Sequence, residues 1–294
     1  MSIELTDDPA AFLDAAADHL AADPVLTTVI ASVTARMARE EPGRYTDLPY
    51  RWWALARDDD GAVTGVAMRT APFAPHPAYV LPMPDDDAVA LARLLHERGE
   101  RLGGVNGALP TARVLAEETA RLSRGAVSVH EHLRLHELGE LLMPPAPAGR
   151  LRLATEADGE LCLAWFLAFE AAAAEQAGRT GVHGLGESFT LEDMLVRIRD
   201  EVIWLWEDER GEPMHLTGAN LPANGVTRIG PVYTPREQRG RGYASRAVAE
   251  ISQSYVDRDV RCCLFTDQAN PVSNRVYEAI GYRPVTDMVN QVIG

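Results

Sequence analysis

Residues Glu237 to Glu250 read EQRGRGYASRAVAE, a spacing that suits the binding of an anion. Glycines at 240 and 242 permit backbone conformations and close approaches that a Cβ would block, so that free N–H groups can point at a phosphate. The alanine-rich pattern that follows predicts a helix from about Tyr243 to Tyr255, whose N-terminus adds the positive end of its dipole. Arg236, Arg239, Arg241 and Arg246 supply cationic charge around it. A nucleotide-triphosphate loop would require Gly-Lys followed by Ser or Thr, and no such run occurs. A dinucleotide loop would require a third glycine where Ser245 stands, inside a βαβ unit that is not present here. The competing reading of the same residues is a solvated surface turn.

Two neighbouring stretches extend the site. In RIGPVYTP, Pro231 removes a ladder donor and Gly230 tolerates a bulge, so this strand is expected to part from its neighbour, VRCCLFT at Val260 to Thr266. The gap would expose the backbone groups of Val232, Tyr233 and Thr234; the plainer alternative is an ordinary edge strand. Further on, NPVSNRVYEAIGYRPV is punctuated as a helix, with Asn270 as cap, Pro271 in the first turn and Gly281 at the end.

RGRGYA, Arg239 to Ala244, resembles the R/Q-x-x-G-x-G/A coenzyme A loop of the GNAT superfamily of N-acetyltransferases, and Asn270 to Val285 resembles that superfamily's closing helix. The resemblance covers residues 150 to 294 well, and more loosely the whole chain resembles bacterial tandem-lobe proteins with a degenerate first lobe, often carrying a GVNG like Gly104 to Gly107. It implies an α/β (α+β mixed sheet) fold of two GNAT-like lobes, the second with a splayed central sheet. It also implies acetyl-CoA as co-substrate, with acetyl passing to a primary amine of a small molecule or peptide by direct attack on the thioester. By the same resemblance Arg239, Gly240, Arg241, Gly242, Tyr243, Ala244 and Ser245 hold the pyrophosphate, and Val232, Tyr233 and Thr234 hold the pantetheine arm. Asn270 and Asn274 join the cofactor site, and Tyr277 is the general acid. A tyrosine of pKa about 10 can protonate a leaving thiolate whose thiol titrates near about 8.5. The first lobe has no matching loop, so it is not expected to bind coenzyme A.

These residues need a frame. The proline-rich MPPAPAGR divides the chain into a lobe at 1–143, a linker at 144–150 and a transferase lobe at 151–294. Helical periodicity up to Glu40 is broken at Pro24, and RWWALARDDDGAVTGVAMRT reads as a hairpin. The halves share a rough order of helices, hairpin, helix and strand, which suggests duplication. A net charge of -15 disfavours nucleic acid and anionic lipid and favours cationic partners. No apolar run approaches the roughly 20 residues of a membrane span, and a cytoplasmic location is expected. Cys162, Cys262 and Cys263 lack zinc spacing and read as reduced core residues. No metal is expected, and oligomeric state is left open.

The general base is not legible. GVTRIGPVY carries no carboxylate, and Glu170, Glu175, Glu207 and His215 stand as unranked candidates. His130, His132, Arg134 and His136 share a strand face that reads as polar surface rather than a metal site. Trp204 and Trp206 read as core or acceptor-pocket wall, and the glycine-rich loop Gly178 to Gly186 as an acceptor lid or a plain loop. The alternative to an enzyme is a coenzyme A-binding regulatory module without turnover.

Overall fold

The computed structural model describes residues 2–39, 51–176 and 189–294, which form two compact units. The first comprises Met1–Arg134 and Thr286–Gly294, the second Leu135–Val285. The units therefore part elsewhere than at the proline-rich segment 144–150, and the last residues of the chain belong with the first unit. The backbone of that segment is held within the second unit: Trp206 Nε1 donates to the Ala148 carbonyl at 3.0 Å, and Arg246 Nη1 to the Pro144 carbonyl at 2.7 Å.

In the first unit, β1 (Ser2–Thr6), β2 (Trp52–Arg57), β3 (Val63–Arg69), β4 (Ala78–Val80) and β5 (Gly104–Ala108) lie side by side in chain order. The expected hairpin is β2–β3, and its residues are buried on both faces. Trp53 and Leu55 meet α1 (Pro9–Ala15), α2 (Ala17–Ala22) and α3 (Thr28–Arg39) through Phe12, Leu20 and Ile30. Trp52 and Ala54 face the opposite way, toward Leu91 of α4 (Asp85–Glu97) and Leu115 of α5 (Thr111–Ser123). Helices on both faces explain why apolar residues run continuously instead of alternating. The sheet is completed by Met288–Val292, which pair antiparallel with β5.

In the second unit β7 (Arg150–Leu153), β8 (Ile203–Glu207), β9 (Pro213–Ala219) and β10 (Val226–Tyr233) are antiparallel neighbours, and β11 (Arg261–Asp267) joins β10 in parallel. One face carries α6 (Gly159–Gln176) and α7 (Leu191–Arg199), packed through Cys162, Phe166, Met194 and Ile198 on Ile203, Leu205 and Leu216. The other carries α8 (Tyr243–Val256) and α9 (Pro271–Ala279), packed through Val248, Ile251, Tyr277 and Ile280 on Ile229 and Leu264. Thr190 and Asp193 form a reciprocal capping box that starts α7. Two long strands, β6 (Val127–Leu138) and β12 (Tyr282–Ile293), run from one unit into the other. All three cysteines are free and buried.

Candidate active site

The parallel ladder between β10 and β11 consists of Val226↔Arg261, Thr227↔Cys262 and Arg228↔Cys263. Beyond Arg228 the two strands part, which leaves the edge of Val232 and Tyr233 facing β11 without ladder partners while their other edge stays paired with Thr217 and Leu216 of β9. The register against β9 shifts between Ile229 and Val232, where the cis Gly230–Pro231 bond lies. That shift resets the alternation, so Ile229 and Val232 both face the α8–α9 core, and Tyr233 turns to the opposite side against Trp165 of α6, ring centroids 5.9 Å apart. Gly218 on β9 makes room for the bulge, since a Cβ there would lie 3.0 Å from Pro231 Cδ and 3.1 Å from the Gly230 carbonyl. On the diverged part of β11, Thr266 Oγ1 is buried and has no hydrogen-bond partner among the described residues.

The glycine loop follows directly. Gly240 and Gly242 have φ of 77° and 85°, in the left-handed region that favours glycine, and a Cβ on either would meet only open space. Gly242 begins α8 without a side-chain cap, so the first-turn N–H groups of Tyr243, Ala244 and Ser245 have no capping oxygen. This is a cradle shaped for an anion. Arg239 lies half-buried beside it, with Nε donating to the Thr234 carbonyl at 3.1 Å. Exposed Arg241 donates through Nη2 to the Glu237 carbonyl at 3.3 Å. Arg246 is a correction to the expected ring of cations: it is paired with Glu250 at 2.6 Å and bonded to Pro144. Arg236 is exposed, 3.5 Å from Glu175. The Tyr243 ring is buried against Trp206, so only its backbone can serve the cradle.

Tyr277 is buried among Ile229, Leu264 and Tyr282, with Val232 packed against the same cluster. Its ring meets Tyr282 edge-on at 6.2 Å, and burial pushes its phenol above the usual range. The phenol therefore stays protonated through neutral pH, as a proton donor must. Asn270 Oδ1 accepts from the Val272 and Ser273 N–H groups at 3.1 and 3.2 Å. Asn274 Nδ2 donates to the Asp267 and Asn270 carbonyls at 3.1 and 2.9 Å. Both side chains thus build the turn that aims β11 into α9.

The base candidates fare differently. Glu207 is buried and paired with Arg152, and His215 is fully buried between two threonine hydroxyls. Glu175 is exposed beside Arg236, and the side chain of Glu170 lies outside the described residues. Trp206 is a core residue against Tyr243, and half-buried Trp204 packs on Tyr255, both partners on α8. The aromatic side chain that meets β10 at the splay is Trp165, which lay unmarked inside an apolar helical run. His130 and His132 are exposed and His136 is buried, and no cluster of metal-ligating side chains occurs among the described residues. The loop Gly178 to Gly186 lies outside the described residues. Leu142, Met143, Ser245, Val272, Arg275 and Val276 line a groove of about 600 Å³ beside the first turn of α8.

A mixed sheet that opens beside a glycine-led helix N-terminus is the local geometry of this site. Residues 210–289 match the family described as FR47-like protein. Over 99% of this chain and 95% of the other, the structure is similar to a GCN5-related N-acetyltransferase from Sphaerobacter thermophilus, at 17% identity and a TM-score of 0.57. It is similar to a GNAT-family acetyltransferase from Colwellia psychrerythraea over 100% and 99% of the two chains, at 10% identity and a TM-score of 0.55. A tandem GNAT protein from the clavulanic acid biosynthesis pathway aligns over 100% of this chain and 98% of its own, at 14% identity and a TM-score of 0.56. No curated protein sequence matches. The chain has the tandem GNAT fold, a mixed α/β architecture. Among the described residues no helix is long and apolar enough to cross a membrane.

Proposed function

We propose that the second unit binds acetyl-CoA and transfers its acetyl group to a primary amine of a small molecule or peptide by direct attack on the thioester. The observation that carries this is the parting of β10 from β11 after Arg228↔Cys263, directly before an uncapped helix led by two left-handed glycines. The acetyltransferase names of structures sharing the fold support it. In this reading the free edge of Val232, Tyr233 and Thr234 pairs with the pantetheine amides. The N–H groups of Gly240 to Ser245 receive the pyrophosphate, with Arg239 and Arg241 beside it, and a backbone N–H near Val232 stabilises the tetrahedral oxyanion. The cradle positions the donor and the chemistry happens at the splay. Attack by the neutral amine forms the C–N bond and collapse breaks the C–S bond; Tyr277 gives its proton to the departing thiolate, and the proton that the nitrogen sheds passes to solvent water, from which the Tyr277 phenolate is reprotonated.

A second reading, a coenzyme A-binding regulatory module, is favoured by Glu207 and His215 both being tied up in internal bonds. Free-thiol release from acetyl-CoA in the presence of a panel of primary amines separates the two. Amine-dependent release is expected; tight coenzyme A binding with no release above the amine-free rate would establish the module instead.

A further inference from the structure

His215 sits on β9 with no exposed surface, and both ring nitrogens are bonded: Nε2 lies 2.6 Å from Thr217 Oγ1 and Nδ1 2.7 Å from Thr234 Oγ1. Thr217 is on the same strand, whereas Thr234 is the first residue beyond β10, where the chain turns into the glycine loop. The Thr234 carbonyl in turn accepts from Arg239 Nε. Thr234 thus links the sheet interior to a guanidinium at the cradle, its hydroxyl bonded to His215 and its carbonyl to Arg239.

We infer that His215 is a positioning residue for the anion-binding loop: clamped by Thr217, it fixes Thr234, and Thr234 fixes the direction in which Arg239 presents its remaining N–H groups. The inference rests on the reading of Arg239 to Ser245 as a pyrophosphate cradle. A loop that binds through oriented backbone and one half-buried guanidinium works only if both are held before the ligand arrives, because ordering them on binding would weaken affinity. An internal bond between buried neutral groups is a way to hold them without adding charge.

The test is titration of the full chain with coenzyme A and, separately, with pantetheine, which lacks the phosphates. Thr217→Val removes the far clamp without touching the loop, and Thr234→Val removes the near one. Each is expected to weaken coenzyme A by about fivefold or more; Thr217→Val, which lies outside the pantetheine edge, is expected to leave pantetheine unchanged, and Thr234→Ser is expected to restore wild-type affinity. Adding Thr234→Val to Arg239→Ala should produce little further loss, because the two act through one contact. Wild-type coenzyme A affinity in both valine variants, or an equal loss for pantetheine in Thr217→Val, would overturn the positioning role while wild-type binding stands. Absence of coenzyme A binding by the wild type would instead remove the cradle itself, and this inference with it.

Discussion

The hydroxyl of Tyr277 is where acetyl transfer and simple binding part company. Tyr277→Phe keeps the edge-on packing against Tyr282 and removes only the proton donor. Coenzyme A affinity should survive, and turnover should fall about 10²-fold, the lower end of general acid effects, since a thiolate is already a fair leaving group. Because burial raises the phenol, the acid stays protonated and its alkaline limb moves above about pH 10. The pH–rate profile of the wild type should therefore show no Tyr277-dependent decline below that, and equal rates in both proteins would remove the acid role. His215 makes the opposite kind of pH prediction. Burial lowers its pKa from the model-peptide 6.5 to about 3, so the unfolded chain takes up a proton that the folded one refuses. The neutral ring's contribution is fully present above pH 6.5 and is lost as pH falls toward 3, about 2 kcal/mol by pH 5. Denaturant melts at pH 7 and pH 5 check this: the stability difference should shrink in His215→Gln, and an unchanged difference would contradict it.

At the scale of elements, the loop and the bulge are separable. Gly242→Val puts a β-branched residue at φ 85°, costing about 1–2 kcal/mol in loop conformation, and should weaken acetyl-CoA more than tenfold while leaving the fold intact. Gly218→Ala acts one strand away: its Cβ presses on Pro231 and the Gly230 carbonyl, so the bulge must shift and donor affinity should fall, measurable by the same titration. The first effect was legible in sequence and the second was not. Glycines, arginines and a helix start are contiguous in Glu237 to Glu250, so their chemistry is local. Gly218 has its reason in Pro231, which reaches it only across the β9–β10 ladder. The same holds for His215, which looked like a loose base candidate until Thr234 closed on it. The segment 144–150 read as a linker because prolines look alike whether they span a gap or lie along a surface, and only the bonds from Trp206 and Arg246 decide. The strand β12 was missed because its charged and polar residues hide its alternation.

The chain has a tandem architecture, and the proposed donor site belongs to its second unit. In the first unit β4 and β5 stay paired through Val80↔Gly107, and the Val80 carbonyl approaches Gly107 so closely that a Cβ there would lie 1.9 Å from it. The helix that follows opens with Asp85, Asp86 and Asp87, which would repel a pyrophosphate. That unit should not bind the cofactor. It also needs the chain's end: a fragment of residues 1–143 lacks the strand that pairs with β5 and loses Val289 from its core, so it should melt well below the intact protein or aggregate. The central claim, a single acetyl-CoA site built by the second unit's glycine loop and splayed strand, is met most directly by calorimetric titration of the full chain. One site per chain is predicted, lost or weakened more than tenfold in Gly242→Val. A second site of comparable affinity, or binding unaltered by that substitution in a folded protein, would contradict it.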